Sequence, residues 1–262
     1  MALIHCDFFS EALGLNTSMK VILPQETTNQ IGMTGKKAKG PYPVLFLLHG
    51  LSDDDSAWIR RTSIERYVSE MGIAVVMPQV HRSFYTDMEY GQQYWTFISE
   101  ELPAVARSFF PLSNKREDTF TAGLSMGGYG AFKLALRHPD RFSAAASLSG
   151  VMDIAGFESR SGEPYHDYKL IFGNKEVAQS DDDLFTLLKK VNSSSGEKPK
   201  LFQCCGTDDH LYEENKQFNK ACAETSFDHV YEEDDGQGHT WDYWDEKIQK
   251  VLNWLPIVKK EE

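Results

Sequence analysis

The sequence predicts a three-layer α/β sandwich built on a mostly parallel sheet of about eight strands. Short β-branched and apolar runs recur along the chain, and longer stretches of helical period separate them. Several of the runs are apolar at consecutive positions, as strands covered on both faces must be. Strand–helix alternation of this kind requires right-handed crossovers between parallel neighbours, which puts helices on both faces of the sheet. The length of 262 residues fits one domain spanning residues 1–262.

Taken in order, Ile4–Phe9 and Met19–Leu23 are expected as antiparallel strands at one sheet edge. Gln25–Pro43, rich in Thr, Lys and Gly, reads as an exposed loop or hairpin connection. Val44–Leu48, Ile73–Met77, Thr119–Leu124, Ala144–Leu148, Lys200–Cys205 and Val230–Glu233 supply the remaining strands. Helices are expected over Ala57–Met71, Tyr94–Phe109, Met126–Arg137, Leu184–Val191, Leu211–Ala223 and Asp242–Leu255. The last carries Trp244, Ile248, Val251, Leu252 and Leu255 at helical spacing. Residues 152–180 show no clean period and follow a strand end, so they are expected as an excursion above the sheet that shapes a substrate pocket.

Composition narrows the function. Hydrophobic residues make up 41% and charged residues 25%, the balance of a packed globular protein. A net charge of −12 argues against nucleic acid, anionic membranes and polyanionic substrates as partners. A homo-oligomer is allowed but not indicated. Cys6, Cys204, Cys205 and Cys222 form no C-x-x-C pair, and the adjacent pair sits on a strand that sends its side chains to opposite faces; all four read as reduced. With no secretory n-region and h-region and no run of spanning length, the expected compartment is the cytoplasm.

The strongest chemical signal is Gly123-Leu124-Ser125-Met126-Gly127. It follows a β-type run and opens a good helix, the setting in which G-x-S-x-G becomes the nucleophile elbow of an α/β-hydrolase. The glycines relieve collisions around a strained turn that projects the serine hydroxyl. The helix amino terminus then faces the negative charge that develops in acyl transfer. Two backbone N–H groups should cradle that charge. One belongs to Met126, after the nucleophile. The other is Leu51, in the His49-Gly50-Leu51 turn that leaves an earlier strand. His49 itself, at the strand end, reads as structural.

Eight histidines compete for the general base. Chain order Ser–acid–His removes His5, His49 and His81. His138 lies at the far end of the helix that Ser125 starts, His229 begins the last strand, and His210 crowds the candidate acids. His166, in the excursion, is a weaker candidate than His239, in a loop with Gly236 and Gly238 between the last strand and last helix. The acid must follow the penultimate strand, where Asp208 and Asp209 both offer themselves and local physics does not choose. One of them is expected to cap the next helix.

With these pieces in place the chain resembles the esterase D family, which holds the S-formylglutathione hydrolases and the bacterial tributyrin esterases; the closer likeness is to the latter. The likeness rests on Leu47–Arg66, Met77–Met88, Glu100–Pro103, Ala122–Gly150, Cys205–Asn215 and Gly238–Ile248. It implies an α/β-hydrolase without metal or cofactor that cleaves small short-chain acyl esters through Ser125, an Asp and His239. It places the acid three residues after Gly206, at Asp209, and puts Trp58 and the Phe84-Tyr85 loop at the pocket border. Asp53, Asp54 and Asp55 stand where many relatives have Gly and Asn, which adds negative charge near the pocket mouth. Two alternatives remain: a thioesterase of the S-formylglutathione type, and a binding protein on an inactive hydrolase scaffold.

Overall fold

The computed structural model describes residues 1–37, 39–157 and 166–257. Its strands are β1 (Ala2–Ser10), β2 (Leu15–Leu23), β3 (Val44–Leu48), β4 (Ala74–Pro78), β5 (Thr119–Leu124), β6 (Ala144–Leu148), β7 (Lys200–Gly206) and β8 (His229–Asp234). They form one sheet in the order β1-β2-β4-β3-β5-β6-β7-β8. β1 and β2 pair antiparallel, β2 joins β4 antiparallel, and every later pairing is parallel. The two early runs are thus the antiparallel edge expected from sequence. β3, β4, β5 and β6 are buried at every position, because helices cover both faces.

The helices are α1 (Ala57–Arg61), α2 (Ile64–Tyr67), α3 (Tyr94–Thr96), α4 (Leu102–Phe109), α5 (Met126–Arg137), α6 (His166–Phe172), α7 (Leu184–Ser193), α8 (Tyr212–Ala223) and α9 (Trp241–Trp254). Two apolar clusters line the two faces of the sheet. One gathers Phe46, Val76, Tyr129, Phe132, Leu187 and Phe218; the other gathers Leu45, Trp58, Phe120, Tyr243, Ile248 and Val251.

The single helix expected over Ala57–Met71 is instead two short ones. Thr62 breaks it with an extended backbone; its hydroxyl donates to the Trp58 carbonyl at 2.6 Å and accepts from the Ile64 N–H at 3.1 Å. A threonine offering the backbone these alternatives competes with the helix. The helix expected over Tyr94–Phe109 carries a π-turn at Phe97–Glu101. Pro103 cannot donate to the Ser99 carbonyl, and Arg141 Nη1 takes that acceptor at 3.0 Å.

Of the expected excursion, residues 158–165 lie outside the described residues. On its flanks, Glu89 and Tyr90 donate backbone hydrogen bonds to Ile171 and Leu170 of α6, and Phe157 packs edge-on against Phe84 at 5.6 Å. The segment is thereby tied to the loop after β4.

Candidate active site

Ser125 occupies the turn between β5 and α5 at φ 53°, ψ −119°, a conformation disfavoured for any side chain. Packing enforces it. A Cβ on Gly123 would meet the Gly127 carbonyl at 2.4 Å, and one on Gly127 would meet the Leu48 carbonyl oxygen at 2.5 Å. The elbow is pressed onto the end of β3, and only hydrogens fit at those two positions.

The Ser125 hydroxyl lies 3.0 Å from Nε2 of His239, and Nδ1 of His239 lies 2.8 Å from Oδ2 of Asp209. A carboxylate only accepts, so Nδ1 carries the ring proton and Nε2 is free to accept the serine hydrogen. Asp209 sits in the turn after β7, where its Oδ1 also accepts from the Leu211 N–H at 2.9 Å. The neighbouring Asp208 is exposed, its N–H spent on the Gln237 carbonyl. Local sequence left Asp208 and Asp209 open and the family resemblance pointed to Asp209; in space Asp209 faces His239 and Asp208 does not.

Two peptide planes aim the expected oxyanion donors. The Gly50 carbonyl accepts from Nδ1–H of His49 at 2.7 Å and from the Asp53 N–H at 3.2 Å. In a planar trans peptide the C=O and N–H point opposite ways, so the Leu51 N–H is directed away from that pair. The Ser125 carbonyl accepts from Tyr129 at 3.1 Å and from Val151 at 3.3 Å, which turns the Met126 N–H outward in the same manner. Gly50 approaches the serine closely: a Cβ there would lie 3.7 Å from Cβ of Ser125 and collide with Leu124 at 2.7 Å. The arrangement offers an alcohol, a base that can take its proton and a carboxylate orienting that base.

Residues 10–255 match the family model Esterase, described as “Putative esterase”. An acetyl esterase of Caldicellulosiruptor saccharolyticus is 33% identical over 266 residues, covering 98% of this chain and 99% of its own. The chain belongs to the Esterase family. Among solved structures, the fluorophosphonate-binding serine hydrolase FphF of Staphylococcus aureus superposes with a TM-score of 0.86 at 35% identity, over 97% of this chain and 98% of that one. The S-formylglutathione hydrolase FrmB of the same organism gives 0.84 at 35% identity and the same coverage. The fold is that of the α/β-hydrolases, and the protein is a serine carboxylesterase.

In this esterase, burial works to raise the Asp209 carboxyl. The hydrogen bond and charge of His239, the Leu211 N–H and the Ser149 hydroxyl outweigh it and hold the group below the usual carboxylate range. Ser149 went unnoticed in the sequence. It follows β6 in a left-handed conformation, φ 48°, and is fully buried; its hydroxyl accepts from the indole N–H of Trp244 at 3.2 Å. Trp244, read from sequence only as one apolar position of a helix, also packs edge-on against His239 at 4.8 Å. The Ser149 turn is anchored by Asn215, whose amide donates to the Gly150 carbonyl at 2.9 Å.

Trp58 and Tyr85, expected at the pocket border, are fully buried. The Trp58 indole donates to the Leu48 carbonyl at 3.0 Å, and the Tyr85 hydroxyl donates to the His49 carbonyl at 2.9 Å. Both therefore brace the β3 exit that leads to Leu51. Phe84 and Tyr85 sit at φ 48° and 52°, held there by Lys133 of α5. Its fully buried ammonium donates to the Tyr85 carbonyl at 3.0 Å and to Thr86 Oγ1 at 2.8 Å, and pairs with Asp182 at 2.6 Å.

Three other histidines keep structural places. His49 accepts from the Val80 N–H on Nε2 at 3.1 Å, and burial lowers its pKa, so it stays neutral with one fixed tautomer. His138 stacks on Trp95, and His229 is hydrogen-bonded to Gln203. His210 is the exception: it lies against the site, its ring 4.6 Å from that of His239. Cys204 and Cys222 are free thiols that burial pushes up to about 12.

Proposed function

We propose that this esterase hydrolyses small, uncharged short-chain acyl esters by two-step acyl transfer at Ser125. The observation that carries the reading is the unbroken line Ser125 Oγ, His239 Nε2, His239 Nδ1, Asp209 Oδ2, with separations of 3.0 and 2.8 Å. His239 takes the serine proton as Oγ attacks the carbonyl, and the N–H groups of Leu51 and Met126 hold the oxyanion. His239 then returns the proton to the leaving alcohol, and water repeats the sequence on the acyl-enzyme. No step calls for a metal or cofactor. Replacing Ser125 by Ala lowers turnover by on the order of 10⁶-fold in this reading. In this reading the described residues form one domain, residues 152–157 and 166–180 border the pocket, and the enzyme works in the cytoplasm. Its four free thiols are consistent with that compartment, and no helix among the described residues is long and apolar enough to cross a membrane.

The similarity to an acetyl esterase supports a neutral ester of short acyl length. The second reading, thioester hydrolysis, draws on the likeness to an S-formylglutathione hydrolase. Glutathione is a net anion, and the Asp53 and Asp54 carboxylates that follow the Gly50 turn disfavour it, while Asp55 is buried and paired with Lys20 at 3.6 Å. Comparing kcat/KM for p-nitrophenyl acetate and butyrate with that for S-formylglutathione separates the two. The ester reading expects the p-nitrophenyl esters to be turned over with the higher kcat/KM; a dominant S-formylglutathione activity overturns it.

A further inference from the structure

The side chain of His210 takes no part in the acyl-transfer scheme, yet it stands at the acid end of the triad. It is 70% exposed, with Nδ1 3.5 Å from Oδ1 of Asp209. Among the described residues, Asp209, His210 and His239 form the group whose potential ligand atoms all lie within 4.8 Å of one another. We propose that these three residues form an inhibitory site for a borderline divalent cation, zinc or copper(II), that switches the esterase off.

The donor set fits such ions: two imidazoles and one carboxylate suit zinc and copper(II) and leave a fourth position for water, whereas magnesium and calcium want oxygen cages. The spacing fits as well. Bonds of about 2.0–2.1 Å in tetrahedral zinc put neighbouring donor atoms roughly 3.4 Å apart. Nδ1 of His239 lies 2.8 Å from Oδ2 of Asp209 and Nδ1 of His210 lies 3.5 Å from Oδ1, the two oxygens of one carboxylate, within reach of that value after a small turn of His210. The exposed His210 side chain can turn inward to close the set. The net charge of −12 raises the local concentration of cations.

Inhibition follows from the tautomer and rests on the catalytic reading above. A metal on Nδ1 of His239 displaces the proton held toward Asp209. The neutral ring keeps one proton, which must then sit on Nε2. That nitrogen now presents N–H to Ser125 and cannot take the hydroxyl proton, so acylation and deacylation both stop. Substrate binding is untouched, and chelation restores the original tautomer.

The test uses the full chain and His210→Phe, which preserves a ring against His239 but offers no lone pair. Hydrolysis of p-nitrophenyl acetate is titrated with zinc chloride, copper(II) chloride and magnesium chloride. The wild type is expected to lose activity to zinc and copper, recover it with EDTA, and ignore magnesium. His210→Phe keeps its basal turnover, with the zinc inhibition constant raised by at least about tenfold. A readout independent of turnover comes from calorimetric titration of Ser125→Ala with zinc chloride: one bound ion is expected, and none in Ser125→Ala/His210→Phe. Equal zinc sensitivity with and without His210, or zinc binding that survives in the double variant, overturns the site. Zinc bound by Ser125→Ala while the wild type cleaves no ester would instead count against the catalytic reading alone.

Discussion

Asp209→Asn is the sharpest perturbation the geometry offers, because it changes one atom and inverts a proton position. Oδ2 of Asp209 now accepts Nδ1–H of His239 at 2.8 Å, while Oδ1 holds the Leu211 N–H at 2.9 Å. An asparagine can keep only one of these with its carbonyl oxygen. If that oxygen stays on the Leu211 N–H, its NH₂ faces Nδ1 and the imidazole must move its proton to Nε2. That nitrogen, 3.0 Å from Ser125, then donates where it should accept. The corresponding substitution in a serine protease costs about 10⁴ in kcat, so a loss of 10³–10⁴ is expected here, or roughly 4–5.5 kcal/mol of barrier. Asp208→Asn, on an exposed side chain that does not face His239, is the matched control and is expected to leave kcat within about twofold, as surface substitutions usually do. The assay is kcat for p-nitrophenyl acetate with thermal melts of both variants. A crippled Asp208→Asn beside a working Asp209→Asn would refute the assignment of the acid.

Three further outcomes follow from the same contacts. Ser149→Ala strands the Trp244 N–H beside His239; a buried group left unpaired costs about 1–3 kcal/mol, and a kcat loss on the order of tenfold with KM unchanged is expected. Tyr85→Phe frees the His49 carbonyl and loosens the turn that aims the Leu51 N–H; it should lower kcat by no more than the 10²–10³ lost when an oxyanion donor is removed outright, and unchanged kinetics would disconnect Tyr85 from the turn. Burial pushes His229 down to about 4 from the ordinary 6.5. Its folded pKa lies below its unfolded one, so its contribution is complete above pH 6.5 and is lost as pH falls toward 4, by up to about 3 kcal/mol. Urea midpoints across that window should fall for wild type and fall less for His229→Gln.

Much of the architecture was legible because it follows from periodicity. β3, β5 and β6 begin and end at the residues where their apolar runs do, and α5 spans the expected Met126–Arg137. Failures came where side chains compete with the backbone, as at Thr62, or where Pro103 forces a π-turn that no period announces. Ser125, His239 and the glycines were readable because the elbow and the final loop are local in sequence. The residues alone did not choose between Asp208 and Asp209, since that depends on which way a turn sends each carboxylate; only the family resemblance pointed to Asp209. The contacts of Ser149, Trp244, Tyr85 and Lys133 were invisible for the same reason. Each acts through a contact between segments distant in sequence, and the left-handed backbone at Ser149 and Tyr85 leaves no mark in residue type.

The most direct measurement is the site of covalent capture. The protein is treated with a fluorophosphonate, digested, and its adduct mapped by mass spectrometry. A stoichiometric adduct on Ser125, absent from Ser125→Ala and strongly slowed in a His239→Ala variant, is the predicted result. An adduct on any other residue, or one that persists in Ser125→Ala, contradicts the account.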